Sequence, residues 1–317
     1  MRTNTHSSIN DRLFNIKDLP TIPAIHSRIL KIMEDINYSV DDVSKHIEKD
    51  QVLSSKVLKL VNSPFYGLYS DVATIRRAVI LLGSNLIRGI ILSTSLFDVA
   101  DKTLPGLWDH SYCCSTVAGF LAKRFNLITI EEIMTGALLH DIGKVLMKKQ
   151  LPEESKEIEA AVKNSGITTL DAEKAVINIT HDDAGLWLAE TWNLPGIIKD
   201  IIAYHHKPGM CGGHARETAI VHLSDIIVKG IGVSYSGDLF VPMLDEAGWN
   251  ILSLSESDLV DIYCGSYGHH TGGQDIFQIY TRWKRWEIKK YTRRFSECPR
   301  SLPIQRAWTR CATPLPI

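Results

Sequence analysis

The chain has 317 residues, 44% of them hydrophobic and 22% charged, with a formal net charge of −1. That composition is ordinary for a globular protein and holds enough apolar material for about two domains or subdomains. A near-zero balance gives the molecule as a whole no electrostatic reason to seek DNA or anionic lipid, so no DNA partner is expected.

The opening residues, MRTNTHSSINDRL, have no apolar core of the secretory kind. No apolar run reaches membrane-spanning length, because ILLGSNLIRGIILSTSLF is broken by Asn85, Arg88 and two glycines. The six cysteines, at 113, 114, 211, 264, 298 and 311, show no C-x-x-C spacing. Reduced thiols and a cytoplasmic location are the simplest expectation.

The pattern reads as helix after helix, and the expected class is all-α. Apolar residues recur at helical spacing over 24–36, through Ile25, Ile29, Ile32 and Met33. Ser39 offers an N-cap with Asp42 in the first turn. The helix containing Val52, Val57 and Leu60 is stopped at Asn62-Ser63-Pro64. Thr74 and Ser84 are expected to cap two successive helices, with Gly83 ending the first. Leu104-Pro105-Gly106 marks a boundary, followed by a helix from Trp108 to about 125. Thr129-x-x-Glu132 predicts a capping box for one helix running through His140 to about Lys148. A charged helix over 153–164 follows, then one opened by Thr168 or Thr169 that leads to His181. IIKDIIAYHH ends at a Pro-Gly loop, and a helix over 215–229 carries His222 and Asp225. Strand signals are sparse. The expected organisation is an extension at 1–14, a helical lobe at 15–104, a second helical lobe at 105–264, and a Gly-rich linker with a basic tail at 265–317.

Residues 282–310 of that tail carry ten Lys or Arg and two Glu. Ile276, Ile279, Tyr280, Trp283, Trp286 and Phe295 fall roughly along one side, as in a basic amphipathic helix for membrane, partner or RNA contact. The simpler expectation is an ordinary packed helix or a loose terminus.

The chemistry centres on His140-Asp141-Ile142-Gly143-Lys144. An adjacent imidazole and carboxylate suit a borderline divalent ion such as Mn, Fe, Co, Ni or Zn. Lys144, one turn on, is placed to hold a phosphate oxygen over the metal. A bare His-Asp pair is weak evidence. The ordered company of His110, His181, His205, His206 and Asp225 strengthens it. The second pair, His181-Asp182, is read as a coincidence beyond His181 itself, and His222 as a surface residue. Gly136, Gly143 and Gly185 leave room for close approach. No G-x-G-x-x-G, G-x-x-x-x-G-K-[ST] or H-E-x-x-H occurs.

Leu19-Pro20-x-Ile22-Pro23, then LVNSPFY at 60–66, then Thr74-Ile75-x-x-Ala78-x-x-Leu81-Leu82-Gly83 resemble an HDOD (HD-related output) domain, over about 15–230. The resemblance implies a helical N-terminal lobe packed on an HD-superfamily helical bundle, in a bacterial signalling protein with a signalling partner. Many members of that family lack the metal ligands and act by binding. The related HD-GYP phosphodiesterases hold two or three metals, and His110, His140, Asp141, His181, His205, His206 and Asp225 match their ordered ligand set. The implied cofactor is therefore two divalent transition ions, Fe, Mn, Ni or Zn. Asp141 is expected to bridge them, and Asp141 and Lys144 to carry catalysis, Lys144 by binding a phosphate-containing small molecule. The stretch after His206, KPG, lacks the acidic residue and Gly-Tyr-Pro loop of HD-GYP enzymes, which argues against cyclic di-GMP as substrate. A phosphohydrolase and a non-catalytic interaction module with a structural metal site both remain open.

Overall fold

The computed structural model describes residues 3–14, 23–35, 37–230, 232, 236–238, 240–255, 258 and 262. Residues 19–22 of the resemblance motif, the linker and the basic tail at 265–317 lie outside the described residues. Among the described residues there is no strand, and the protein is all-α.

The helices are α1 (Thr3–Phe14), α2 (Ala24–Ile32), α3 (Val40–Ile47), α4 (Gln51–Val61), α5 (Ile75–Thr103), α6 (Leu107–Arg124), α7 (Ile130–Leu139) and α8 (Ile142–Gln150). Then come α9 (Pro152–Ser165), α10 (Thr169–Val176), α11 (His181–Thr191), α12 (Gly196–Tyr204), α13 (Ala215–Gly230) and α14 (Glu246–Leu252). No described helix is long and apolar enough to cross a membrane.

Local chemistry explains most boundaries. The Ser39 hydroxyl accepts from the Asp42 amide at 3.3 Å, and the Asp50 carboxylate accepts from the Leu53 amide at 2.9 Å. Each satisfies a donor that a helix start leaves free. Gly83 lies inside α5 with φ 75°, so α5 is two helical segments joined by a left-handed residue, at the position where the sequence predicts a stop. Thr168 caps α10, accepting from the Asp171 amide.

Two expectations are corrected. Thr129 makes no capping bond to its own helix; its hydroxyl instead faces Glu217 at 3.4 Å, and Glu132 accepts from Asn85 of α5 at 3.1 Å. The capping box forms at Thr180 and Asp183, at the start of α11. The single helix expected through His140 is broken there. Asp141 adopts φ −95°, ψ 11°, and α8 begins afresh after it. The break turns His140 and Asp141 toward a common point, which a continuous helix would splay by about 100°.

The second half is a bundle. α6 packs on α7 and α13, α8 on α11, and α12 on α7 and α11. α5 packs on both α4 and α7, tying the first helices to this bundle. Buried apolar side chains run without interruption from Leu53, Leu60 and Leu86 through Leu107 and Leu138 to Ile201 and Ile227. α8 and α11 touch backbone to backbone. A Cβ added at Gly143 would collide with the His181 carbonyl oxygen, so only glycine fits there.

Candidate metal centre

Five helical elements deliver the predicted residues to one buried place. His110 comes from α6, His140 and Asp141 from the break between α7 and α8, His181 from the start of α11, His205 and His206 from the end of α12, and Asp225 from α13. His110 Nε2 is 3.0 Å from Asp225 Oδ1 and 3.8 Å from Asp141 Oδ2. His140 Nε2 is 3.5 Å from Asp141 Oδ2 and 3.7 Å from Asp225 Oδ1. On the other side of Asp141, its Oδ1 lies 3.4 Å from His181 Nε2 and 3.8 Å from His205 Nε2. His181 Nε2 and His206 Nε2 are 2.9 Å apart. Asp141 thus sits between two groups of nitrogen atoms.

Three of the imidazoles are aimed by their other nitrogen. Nδ1–H of His140 donates to the Ala137 carbonyl at 2.7 Å, that of His205 to the Ile202 carbonyl at 3.0 Å, and that of His181 to Glu173 at 2.7 Å. Each bond fixes the ring and turns Nε2 toward the cluster. Five ligand-type atoms facing the cluster are buried without a hydrogen-bond partner: His140 Nε2, His205 Nε2, Asp141 Oδ1, Asp182 Oδ1 and Asp225 Oδ1. Buried polar atoms are rarely left so, and a cation is the partner this donor set fits. Ligand atoms of His110, Cys114, His140 and Asp225, of His181, Asp182, His205 and His206, and of His140, Asp141 and His205 each gather within 4.8 Å.

Electrostatics agree with that fit. Burial lowers His110 below its ordinary range and, with neighbouring imidazoles, holds His205 and His206 well below theirs, so these rings are neutral. Burial opposes a charged Asp141, yet Lys144, His140 and His181 hold its carboxyl well below the carboxylate range. Burial likewise opposes a charged His181, but Glu173 and Asp182 push it up to about 9. Burial pushes the Asp182 carboxyl up to about 7. Without a cation the cluster offsets its excess of carboxylates by keeping protons.

A lysine frame closes one side. Lys144 Nζ donates to Asp141 Oδ2 at 2.8 Å, to Asp238 at 3.1 Å and to the Ser236 carbonyl at 3.2 Å. Lys229 Nζ donates to Asp225 Oδ2 at 2.7 Å and lies 2.8 Å from Asp238. Asp238 therefore ties together two lysines, each of which grips one cluster carboxylate. Lys144 and Glu173 also line a cleft with Met147, Ile158, Val162 and Ser236.

His222 is not a surface residue. It is buried, its Nδ1–H donates to the His205 carbonyl at 2.7 Å, and its Nε2 accepts from the Asp245 amide at 2.9 Å. It braces the backbone of the His205-His206 pair. The sequence reading also passed over Cys114, Glu173, Asp182, Lys229 and Asp238. Three of these carried a signal: Cys114 and Lys229 stand four residues after His110 and Asp225, one helical turn on, and Asp182 adjoins His181.

An all-α bundle whose helix break presents a His-Asp pair to imidazoles from neighbouring helices defines a protein of the HD superfamily. More narrowly, the HDOD domain model matches residues 19–208, and the chain belongs to that family. An uncharacterised protein of Treponema pallidum (strain Nichols) is 26% identical over 209 residues, 65% of this chain; the chain spans only 40% of that relative's length. Among solved structures, an HDOD domain protein of unknown function from Geobacter sulfurreducens shares the fold at 24% identity and TM-score 0.58, over 90% of this chain and 95% of that one. A candidate metal-dependent phosphohydrolase from Shewanella amazonensis SB2B does so at 17% identity and TM-score 0.59, over 89% and 99%. A candidate signal transduction protein from Marinobacter aquaeolei VT8 does so at 20% and 0.62, over 89% and 65%.

Proposed function

We propose that this chain is an HDOD signalling protein that retains a two-ion site and hydrolyses a phosphate ester. The single observation that carries the reading is the set of five buried, unpartnered ligand atoms converging from four elements, beside His110 Nε2 from a fifth. His110, His140 and Asp225 would hold one ion and His181, Asp182, His205 and His206 the other, with Asp141 lying between the two groups. Such ions supply Lewis-acid polarisation of a phosphate and acidify water. The chain's own residues do the rest. Glu173 and the Ala137 and Ile202 carbonyls orient the imidazoles. Asp182 and His206, with side chains 15% and 9% exposed, form the side of the cluster that reaches solvent and admits substrate. Lys144 binds a phosphate oxygen by exchanging the Asp238 carboxylate for it.

The alternative is an interaction module in which the ions brace the fold. The engagement of Lys144 with Asp141, Asp238 and the Ser236 carbonyl favours it. A substrate screen separates the two. Protein loaded with Mn or Fe is assayed on phosphomonoesters and phosphodiesters beside Asp141→Ala. Turnover lost in the variant supports the hydrolase; a metal-loaded protein without turnover supports the module.

A further inference from the structure

We propose that Cys114 is a fourth ligand of the ion held by His110, His140 and Asp225, giving that position a thiolate and a preference for zinc. The inference rests on the metal-site reading above and concerns which ion each half takes.

Cys114 follows His110 by four residues on α6, so both side chains point from one helix face. Its sulfur is 3.5 Å from His110 Nε2, and both residues are fully buried. Two ligands of one tetrahedral zinc, sulfur at about 2.3 Å and nitrogen at about 2.0 Å, stand about 3.5 Å apart. Two further edges match. His110 Nε2 and His140 Nε2 lie 3.0 and 3.7 Å from Asp225 Oδ1. All four ligand atoms fall within 4.8 Å of one another. An ordinary thiol-to-imidazole hydrogen bond accounts for the sulfur but leaves His140 Nε2 and Asp225 Oδ1 buried and unpartnered. A shared ion accounts for all of them.

The two halves then differ in kind. With Asp141 Oδ2 held by Lys144 and its Oδ1 directed at His181 and His205, two imidazoles, one carboxylate and one thiolate complete a tetrahedron and favour zinc over manganese. The half built from His181, Asp182, His205 and His206 offers only nitrogen and oxygen and reaches solvent. It suits a harder ion that keeps an exchangeable position.

The test is cobalt substitution of the full chain, read by bound-metal content and by near-ultraviolet absorption. The expected result is retained cobalt with a thiolate-to-cobalt charge-transfer band. Cys114→Ser abolishes the band and weakens zinc retention by at least about 10-fold. Cobalt retained without the band, or a band that persists in C114S, overturns the assignment while leaving the metal site standing; a protein that retains no cobalt overturns both. Should C114S fail to fold, the chain with its other five cysteines replaced decides the matter. There a retained band supports ligation by Cys114 and a lost band refutes it.

Discussion

Asp238→Asn isolates the lysine frame from the ligands. Asparagine keeps the shape and removes the charge that Lys144 and Lys229 share at 3.1 and 2.8 Å. The three side chains are 9%, 4% and 6% exposed, so screening by water is slight. Breaking a buried ion pair by neutralising one member costs about 3–5 kcal/mol. Each lysine keeps its second carboxylate, Asp141 or Asp225, which argues for the lower end, about 3 kcal/mol. In a chain of this size that corresponds to a Tm lower by roughly 4–5 °C. Burial opposes a charged Asp238, but the two lysines hold its carboxyl far below the usual range. A depressed carboxyl contributes stability that is present above its unfolded value of about 3.9 and is lost as pH falls through the folded one. Thermal unfolding of metal-free protein should therefore show a wild-type advantage that is level from about pH 5 to 7 and shrinks below about pH 4. A variant melting within about 1 °C of wild type at neutral pH would show that the frame contributes nothing.

Gly143→Ala should cost more than about 3 kcal/mol or abolish folding, since its Cβ meets the backbone oxygen of His181. Gly136→Ala should be milder, because its nearest neighbour is the movable end of Ile201 at 2.6 Å; equal melting temperatures would refute the contrast. Glu173→Gln removes the carboxylate that accepts from both the amide and Nδ1 of His181, at 2.9 and 2.7 Å. Isothermal titration should show divalent-ion affinity reduced roughly 10–100-fold, with the imidazole no longer held in one tautomer. The pH dependence of binding follows from His181 near 9 and Asp182 near 7. A raised histidine stabilises the metal-free fold below its unfolded value near 6.5, and that contribution is lost as pH rises through about 9. Between these limits metal-free Tm should fall while the metal-induced rise in Tm grows, with protons released on binding. Affinity independent of pH from 6 to 9 would contradict this.

The helical class and most helix starts were legible in the sequence because Ser39, Gly83 and Thr168 act through short-range bonds that any context permits. Thr129 was misread because its hydroxyl has a tertiary competitor in Glu217. The break at Asp141 left no trace, since Leu138, Leu139 and Ile142 continue an apolar pattern that suits one long helix. The seven candidate ligands were legible as a set because their order along the chain resembles that of the HD-GYP ligand set. Asp238 and Glu173 were invisible for the opposite reason. They act on lysine or imidazole from outside the helix that carries it, 94 residues from Lys144 in one case and eight from His181 in the other, with no helical spacing to mark them.

The two halves of the cluster are bounded differently, and that asymmetry bears on function. Around His110, His140 and Asp225 every neighbour is protein, and Lys229 already occupies the outer oxygen of Asp225. On the proposed reading, an ion there would be enclosed by buried side chains. Around His181, His205 and His206 the boundary includes the partly exposed Asp182. On the proposed reading, a phosphate would meet the cluster on that second side, beside Asp141. Lys144 holds Asp141 by Oδ2 and leaves Oδ1 directed at His181 and His205. The frame that stabilises the fold therefore also sets which carboxylate oxygen faces the solvent-accessible half.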